Sequence, residues 1–277
     1  LSSSIDIING RGKLNGKGEV IVSGEKPCTI KGKKIIIATG TKEAGIKIDG
    51  SEYMMGSTEC LELKTVPKTV CIIGGGVIGV ELATFYSGMG CKVHILEALD
   101  KILVNLDVEM AGMMHANLTE RGIEISTDSK VNKIQKDNSG VKVTYDCKGV
   151  AKDINADIVI NATGRTPNTK DIGLESCGIK LDRKGYIKVD KYFKTTAENV
   201  YAAGGLLLAH VAFNEGTQAA RNAVDGKEHQ VEKKVVPACI YTHPEMASVG
   251  MTEEEAKAYY KKLRKGYFPM SANGRSL

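Results

Sequence analysis

A β-type apolar run, Thr69-Val70-Cys71-Ile72-Ile73, passes directly into Gly74-Gly75-Gly76-Val77-Ile78-Gly79 and a helical stretch, Val80–Ser87. A GxGxxG pattern alone carries little, because 31 Gly in 277 residues produce about 0.4 matches by chance. Its position carries the weight. A strand that ends in glycines and opens a helix predicts a βαβ unit: Gly74 permits the tight turn, Gly76 admits a close approach to the main chain, and Gly79 lets helix and strand pack. The unpaired N–H groups at such a helix start suit a phosphate. The next strand, Lys92–Leu96, ends at Glu97. A carboxylate there accepts hydrogen bonds from an adenosine ribose and repels a 2′-phosphate. The neighbours Ala98 and Leu99 supply no arginine, so the pattern predicts NAD rather than NADP.

The rest of the chain is ordinary globular material, with 42% hydrophobic and 26% charged residues, long enough for two domains. Its apolar runs (Ile35–Ala38, Val70–Ile73, Ile158–Ile160) are of strand length, so no membrane span is expected. Leu1 is not an initiator methionine and Leu1–Asn9 has no signal-peptide pattern, which predicts a chain that starts mid-protein. The net charge of +5 is spread out except at Lys261, Lys262, Arg264 and Lys265, which reads as a solvated helix end; no nucleic-acid partner is expected. Seven cysteines (28, 60, 71, 91, 147, 177, 239) and five histidines (94, 115, 210, 229, 243) lack disulfide-framework or ligand spacing, which predicts a reducing compartment and no metal.

Along the chain, short strands are expected at Ile5–Ile8, Glu19–Ser23, Cys28–Ile30 and Lys34–Ala38, a short helix at Ser57–Leu63, and a domain boundary near Thr65–Lys68. After the glycine loop and Lys92–Leu96 the pattern predicts a helix at Asp107–Glu120, with Val108, Ala111, Met114 and Leu118 on one stripe and Met110, Met113 and Met114 filling core. Strands follow at Val131–Ile134, Val141–Tyr145, Ile158–Ala162 and Val200–Ala203, then a helix from about Glu215 to Ala223. Alternating β and α predicts an α/β fold with a parallel sheet.

Five further segments share one pattern: Ala38-Thr39-Gly40-Thr41, Gly79-Val80-Glu81-Leu82-Ala83, Ala162-Thr163-Gly164-Arg165-Thr166-Pro167-Asn168, Thr195–Gly204 and Tyr241-Thr242-His243-Pro244-Glu245. Together, and in this order, they resemble the flavoprotein disulfide reductases, most closely the branch that oxidises dihydrolipoamide. The resemblance implies a Rossmann-like NAD-binding domain (65–190) inserted in a partial FAD-binding domain of related fold (1–64 and 191–234), followed by the start of an α+β interface domain (235–277). It implies NAD contacts at Gly74, Gly75, Gly76, Val77, Ile78, Gly79, Val80, Glu81, Glu97, Val131 and Gly164. FAD contacts are implied at Gly12, Thr39, Gly40, Thr41, Leu207, Leu208, Ala209 and His210. Glu81, which also reads simply as an acid in the first turn of its helix, would help position the nicotinamide. The alternative reading of His210 is an ordinary partly buried histidine, and His243 reads as ordering the Pro244 turn rather than transferring a proton. The implied partner is the dihydrolipoyl group of a 2-oxoacid dehydrogenase or glycine cleavage complex, in a homodimer located in cytoplasm or, in a eukaryote, the mitochondrial matrix.

The resemblance also marks what these residues lack. The family's first FAD glycine loop and CxxxxC redox disulfide would lie upstream of Leu1, and its His-Glu pair beyond Leu277. Gly204 is followed by Gly205 where the family has a flavin-binding aspartate, in a loop shortened by several residues. The open alternatives are a reductase of the glutathione or mercuric type, or a non-catalytic NAD-binding fragment.

Overall fold

The computed structural model describes residues 5–138, 140–205, 207–226, 228–231 and 235–275. The described chain falls into two compact units: the first takes the residues up to Lys64 and those from Ile160 to Ala238, the second Thr65–Val159 and the residues from Cys239 onward. The chain therefore rejoins the first unit at Ile160, earlier than the expected 190. The reason is pairing: Arg165–Pro167 runs antiparallel to Thr41–Glu43, with Arg165 opposite Glu43 and Pro167 opposite Thr41.

In the second unit, Thr69–Ile73, Lys92–Leu96 and Glu124–Ser126 lie side by side as parallel strands, Thr69 opposite Lys92 and His94 opposite Glu124. Val70, Cys71, Ile72, Val93, Ile95 and Leu96 are almost completely buried, which explains their unbroken apolar character in a sheet covered on both faces. The helix Val77–Gly88 buries Gly79, Leu82, Ala83 and Tyr86, the i, i+3, i+4, i+7 stripe of a surface helix. The second helix, Val108–Glu120, is capped by Asp107, whose side chain accepts the Glu109 N–H, and buries Ala111, Met114 and Leu118. Two expectations fail here: Val108 is 46% exposed, and of the three methionines only Met114 is core, Met110 and Met113 being 40% and 53% exposed. Val108 is the first helical residue and Met110 and Met113 fall off the buried stripe.

A three-stranded antiparallel sheet of Ser129–Asp137, Gly140–Cys147 and Val150–Ala156 follows. Its third strand, in register from Cys147–Val150 to Val141–Ala156, is absent from the sequence reading because Ala151-Lys152-Asp153-Ile154-Asn155 has weak β propensity. Burial on one face only, through Val141, Val143 and Tyr145, gives the alternation seen in Gly140–Cys147.

The first unit opens with an antiparallel meander, Arg11–Leu14, Glu19–Ser23 and Cys28–Lys31. The strand expected at Ile5–Ile8 does not form, and Ile5 and Ile7 are 81% and 85% exposed. Its would-be partner ends at Ser23, opposite Arg11, so residues before Arg11 have no ladder to join. Further on, Ile35–Ile37 pairs in parallel with Val200–Ala202. A core of Leu14, Ile37, Leu174, Ile179, Val200 and Ala202 lies around that pair. The helix expected from Glu215 runs over Ala209–Asp225; its first turns carry no side-chain cap signal that would have marked the start.

Candidate dinucleotide sites

The glycine loop of the second unit is built from the two strands outward. Gly74 N–H donates to Leu96 O at 2.8 Å, extending the parallel ladder one step, and Gly74 turns the chain at φ 110°. Gly75 is then held on three sides. Its N–H donates to Glu97 Oε2 at 2.6 Å, its carbonyl accepts the Leu103 N–H at 2.9 Å, and a Cβ on it would lie 2.6 Å from Ile102 Cγ2. Gly76 differs: as the residue capping the helix, with no side-chain cap bond, it has no heavy atom within 4 Å of where a Cβ would stand. The amides of the first helical turn follow it, and the ladder begins with Val80 N–H to Gly76 O at 3.0 Å.

Glu97 is placed by its own backbone, whose N–H reaches Ser126 O and whose carbonyl accepts Ser129 N–H, both at 2.8 Å. Its second carboxylate oxygen, Oε1, accepts the Leu99 N–H at 2.8 Å. The acid expected at the strand end thus stands against the glycine loop and braces it. A carboxylate offers about four lone-pair positions, so two amides leave capacity for sugar hydroxyls.

Glu81 is the fifth residue of its helix, and the first turn holds no acid; the expectation of a first-turn acid is corrected, since the helix begins at Val77 and not Val80. Its Oε1 accepts the Tyr241 N–H at 2.8 Å. Val131 is buried on the strand Ser129–Asp137, opposite Tyr145, with a bulge between it and Lys133, so its side chain serves the core. His243, within the His243–Pro244 cis peptide, passes its carbonyl to Arg121 Nη1 at 2.9 Å. Elsewhere in this unit Asp107, Glu109 and Glu253 converge, and the Lys265 ammonium pairs with Glu109 at 2.5 Å and Glu253 at 2.7 Å. Hydrogen bonds from Lys257 and Lys265 hold the Glu253 carboxyl down at about 2.

In the first unit a cleft is lined by Thr39, Gly40, Thr41, Gly204, Gly205 and Glu215, with Ile37, Pro167 and Tyr186 among its walls. Gly40 turns at φ 67° with open space where a Cβ would stand. The structure brings the two Thr-Gly motifs together: Asn168 N–H donates to Gly40 O at 3.0 Å, Asn168 Nδ2 to Thr39 O at 3.1 Å, and Arg165 grips Thr41 through Nε to Oγ1 (2.7 Å) and Nη2 to the carbonyl (2.9 Å). Gly164 belongs to this unit; its carbonyl accepts the Ala44 N–H at 2.9 Å and its turn has φ 131°. Gly12 is exposed on the meander strand Arg11–Leu14, Leu207 and Leu208 precede the helix Ala209–Asp225, and Ala209 and His210 open it with His210 exposed; none of these lines the cleft.

The roles of Arg165, inside the Ala162–Asn168 motif, and of Glu215, which carries no motif signal, are not readable from the sequence. Glu215 Oε2 accepts Gly204 N–H at 2.8 Å and Gly205 N–H at 3.3 Å.

Comparison with known proteins agrees with a fold of this kind. A family model described as pyridine nucleotide-disulphide oxidoreductase matches residues 2–226, and one described as the dimerisation domain of that family matches residues 236–277. The chain belongs to the pyridine nucleotide-disulphide oxidoreductases, a family of enzymes. Within it, the chain is similar to the dihydrolipoyl dehydrogenase of Geobacillus stearothermophilus, 37% identical over 99% of this chain and 60% of the relative. It is also similar to that of Bacillus subtilis, 36% identical over the same shares. Among solved structures, the HOCl-induced flavoprotein disulfide reductase RclA from Escherichia coli matches with a TM-score of 0.87 and 30% identity, over 98% of this chain and 62% of that one. The chain thus spans about 60% of the length of its curated relatives. Among the described residues no helix is long and apolar enough to cross a membrane.

Proposed function

We propose that the protein carrying this chain is an FAD-dependent, NAD-linked dihydrolipoamide dehydrogenase whose second unit binds NAD(H) and whose first unit contributes to the FAD site. The observation that carries the nucleotide assignment is the contrast between Gly75 and Gly76. Gly75 must lack a side chain because Ile102 fills the space. No protein atom within 4 Å imposes that on Gly76, whereas a pyrophosphate lying over the helix start would. The bond of Glu97 to the loop at Gly75 supports reading it as the acceptor for the adenosine ribose, and its charge supports NAD over NADP.

The cleft of the first unit supports a flavin there: Gly40 and Gly205 leave open space on its wall, and Thr39–Thr41 are fixed by Arg165 and Asn168. Gly12 and Leu207–His210 are assigned to the flavin on resemblance, and the uncapped start of the helix Ala209–Asp225 suits an electron-rich group. FAD, when bound, relays two electrons between a dithiol and nicotinamide. This chain's own residues bind and orient. The amides after Gly76 would hold phosphate charge and Glu97 would select the ribose; Glu81, held by the Tyr241 amide, and Val131 are assigned to NAD on resemblance, as is Gly164, which lies in the first unit. The relatives' name supports a dihydrolipoyl group as substrate and the matched dimerisation model supports a homodimer; a 2-oxoacid dehydrogenase or glycine cleavage complex as carrier, and cytoplasm or mitochondrial matrix as location, belong to the same reading by resemblance.

The test is spectroscopic. The purified protein is expected to be yellow, to bleach with NADH, and to form NADH from NAD and dihydrolipoamide. Turnover with glutathione disulfide or mercuric ion instead would move it to another branch, and a colourless protein that still binds NADH would leave only a nucleotide-binding module.

A further inference from the structure

The helix Ala209–Asp225 buries Val211, Glu215, Ala219, Asn222 and Ala223. An acid therefore occupies the middle of the stripe where a leucine would ordinarily pack. Among the described residues Glu215 is the one acidic side chain that is nearly fully buried, at 2% exposure. Burying a carboxylate is unfavourable unless hydrogen bonds compensate, and here they are specific: both Gly204 and Gly205 amides point at Oε2. The turn is fixed from its other side by Ala203 N–H to Ile37 O at 3.1 Å, and Gly204 has φ 94°. Ile37, Gly204, Gly205 and Glu215 line the same cleft as Thr39–Thr41.

We propose that Glu215 is a positioning residue of the flavin cleft: its carboxylate clamps the Gly204–Gly205 turn through two amides and sets a negative charge on the cleft wall. This rests on the reading of the first unit as a flavin site. Residue 205 has no side chain to perform either task, and the acid reaches the turn from ten residues further along the chain, across the helix start.

Two variants separate the clamp from the charge. Glu215→Gln keeps an acceptor oxygen for the amides and removes the charge, whereas Glu215→Ala removes both. In the protein carrying this chain, Glu215→Gln is expected to bind FAD within about threefold of wild type and to raise the flavin reduction potential, since reduced anionic flavin no longer faces a carboxylate. Glu215→Ala is expected to weaken FAD binding by about tenfold or more and to speed hydrogen exchange at the Gly204 and Gly205 amides of the flavin-free protein by a similar factor. An unchanged potential in Glu215→Gln, or wild-type exchange and FAD affinity in Glu215→Ala, overturns the proposal. A wild-type protein that takes up no FAD overturns the flavin reading itself; the exchange measurement, made without flavin, then decides the clamp alone.

Discussion

The Glu97 carboxylate accepts the Gly75 N–H at 2.6 Å, so the residue expected to recognise a sugar also shapes the loop expected to recognise a phosphate. One substitution should therefore disturb both. Glu97→Arg is expected to weaken NADH binding by about 1.5–3 kcal/mol, the scale of charge-assisted hydrogen bonds, and to narrow the preference for NADH over NADPH. Kinetics with both nucleotides check this, and unchanged values for each would remove Glu97 from the site.

Adjacent glycines should fail differently. Gly75→Ala forces a methyl to 2.6 Å from Ile102 Cγ2, and such overpacking costs about 1–3 kcal/mol of stability. Gly76→Ala meets no protein atom within 4 Å and should change stability by less than about 1 kcal/mol, the cost of a poorer cap, while abolishing measurable NADH binding. Urea denaturation and nucleotide titration of the two variants side by side separate a packing glycine from a ligand glycine.

Acid should loosen the contact between the helices Val108–Glu120 and Glu253–Tyr259. The Glu253 carboxyl lies at about 2, below its ordinary 4.5, chiefly through hydrogen bonds from Lys257 and Lys265. A depressed carboxyl contributes stability above its unfolded value and loses it as pH falls, so the contribution is whole above 4.5 and fades toward 2. Carboxyl-detected NMR should show the low midpoint in wild type and a return toward 4.5 in Lys265→Ala. High salt should weaken the effect, because these groups are exposed.

Thiol reactivity should follow burial. Cys71 lies inside the parallel sheet, where burial pushes its thiol up to about 12, whereas Cys28 and Cys239 are exposed. Iodoacetamide at neutral pH should label the latter two and spare Cys71 until the protein is unfolded. Mass spectrometry of the peptides reads the result.

The second unit was legible in the sequence where local chemistry decides structure. Thr69–Ile73 and Lys92–Leu96 form with the expected bounds because each is a short apolar run between turn residues, and Asp107 caps its helix as its residue type suggests. Ile5–Ile8 shows the limit of that logic: its pattern suits a strand, but the neighbouring strand stops at Ser23. Val150–Ala156 shows the converse, a weak strand former drawn into the ladder by the hairpin before it. In the candidate sites, the glycine loop and Glu97 were readable because their spacing is local. Arg165 on Thr41 and Glu215 on Gly204 were not, since each joins segments that only the folded chain brings together.

If the helix start after Gly76 and the carboxylate of Glu97 hold NAD, calorimetric titration of the folded protein reads that binding without any coupled reaction. NADH should bind with measurable heat and about tenfold or more tighter than NADPH, a gap of roughly 1.4 kcal/mol. No heat with either oxidised or reduced NAD would remove the nucleotide from this loop, and equal affinity for NADPH would remove the selecting role of Glu97.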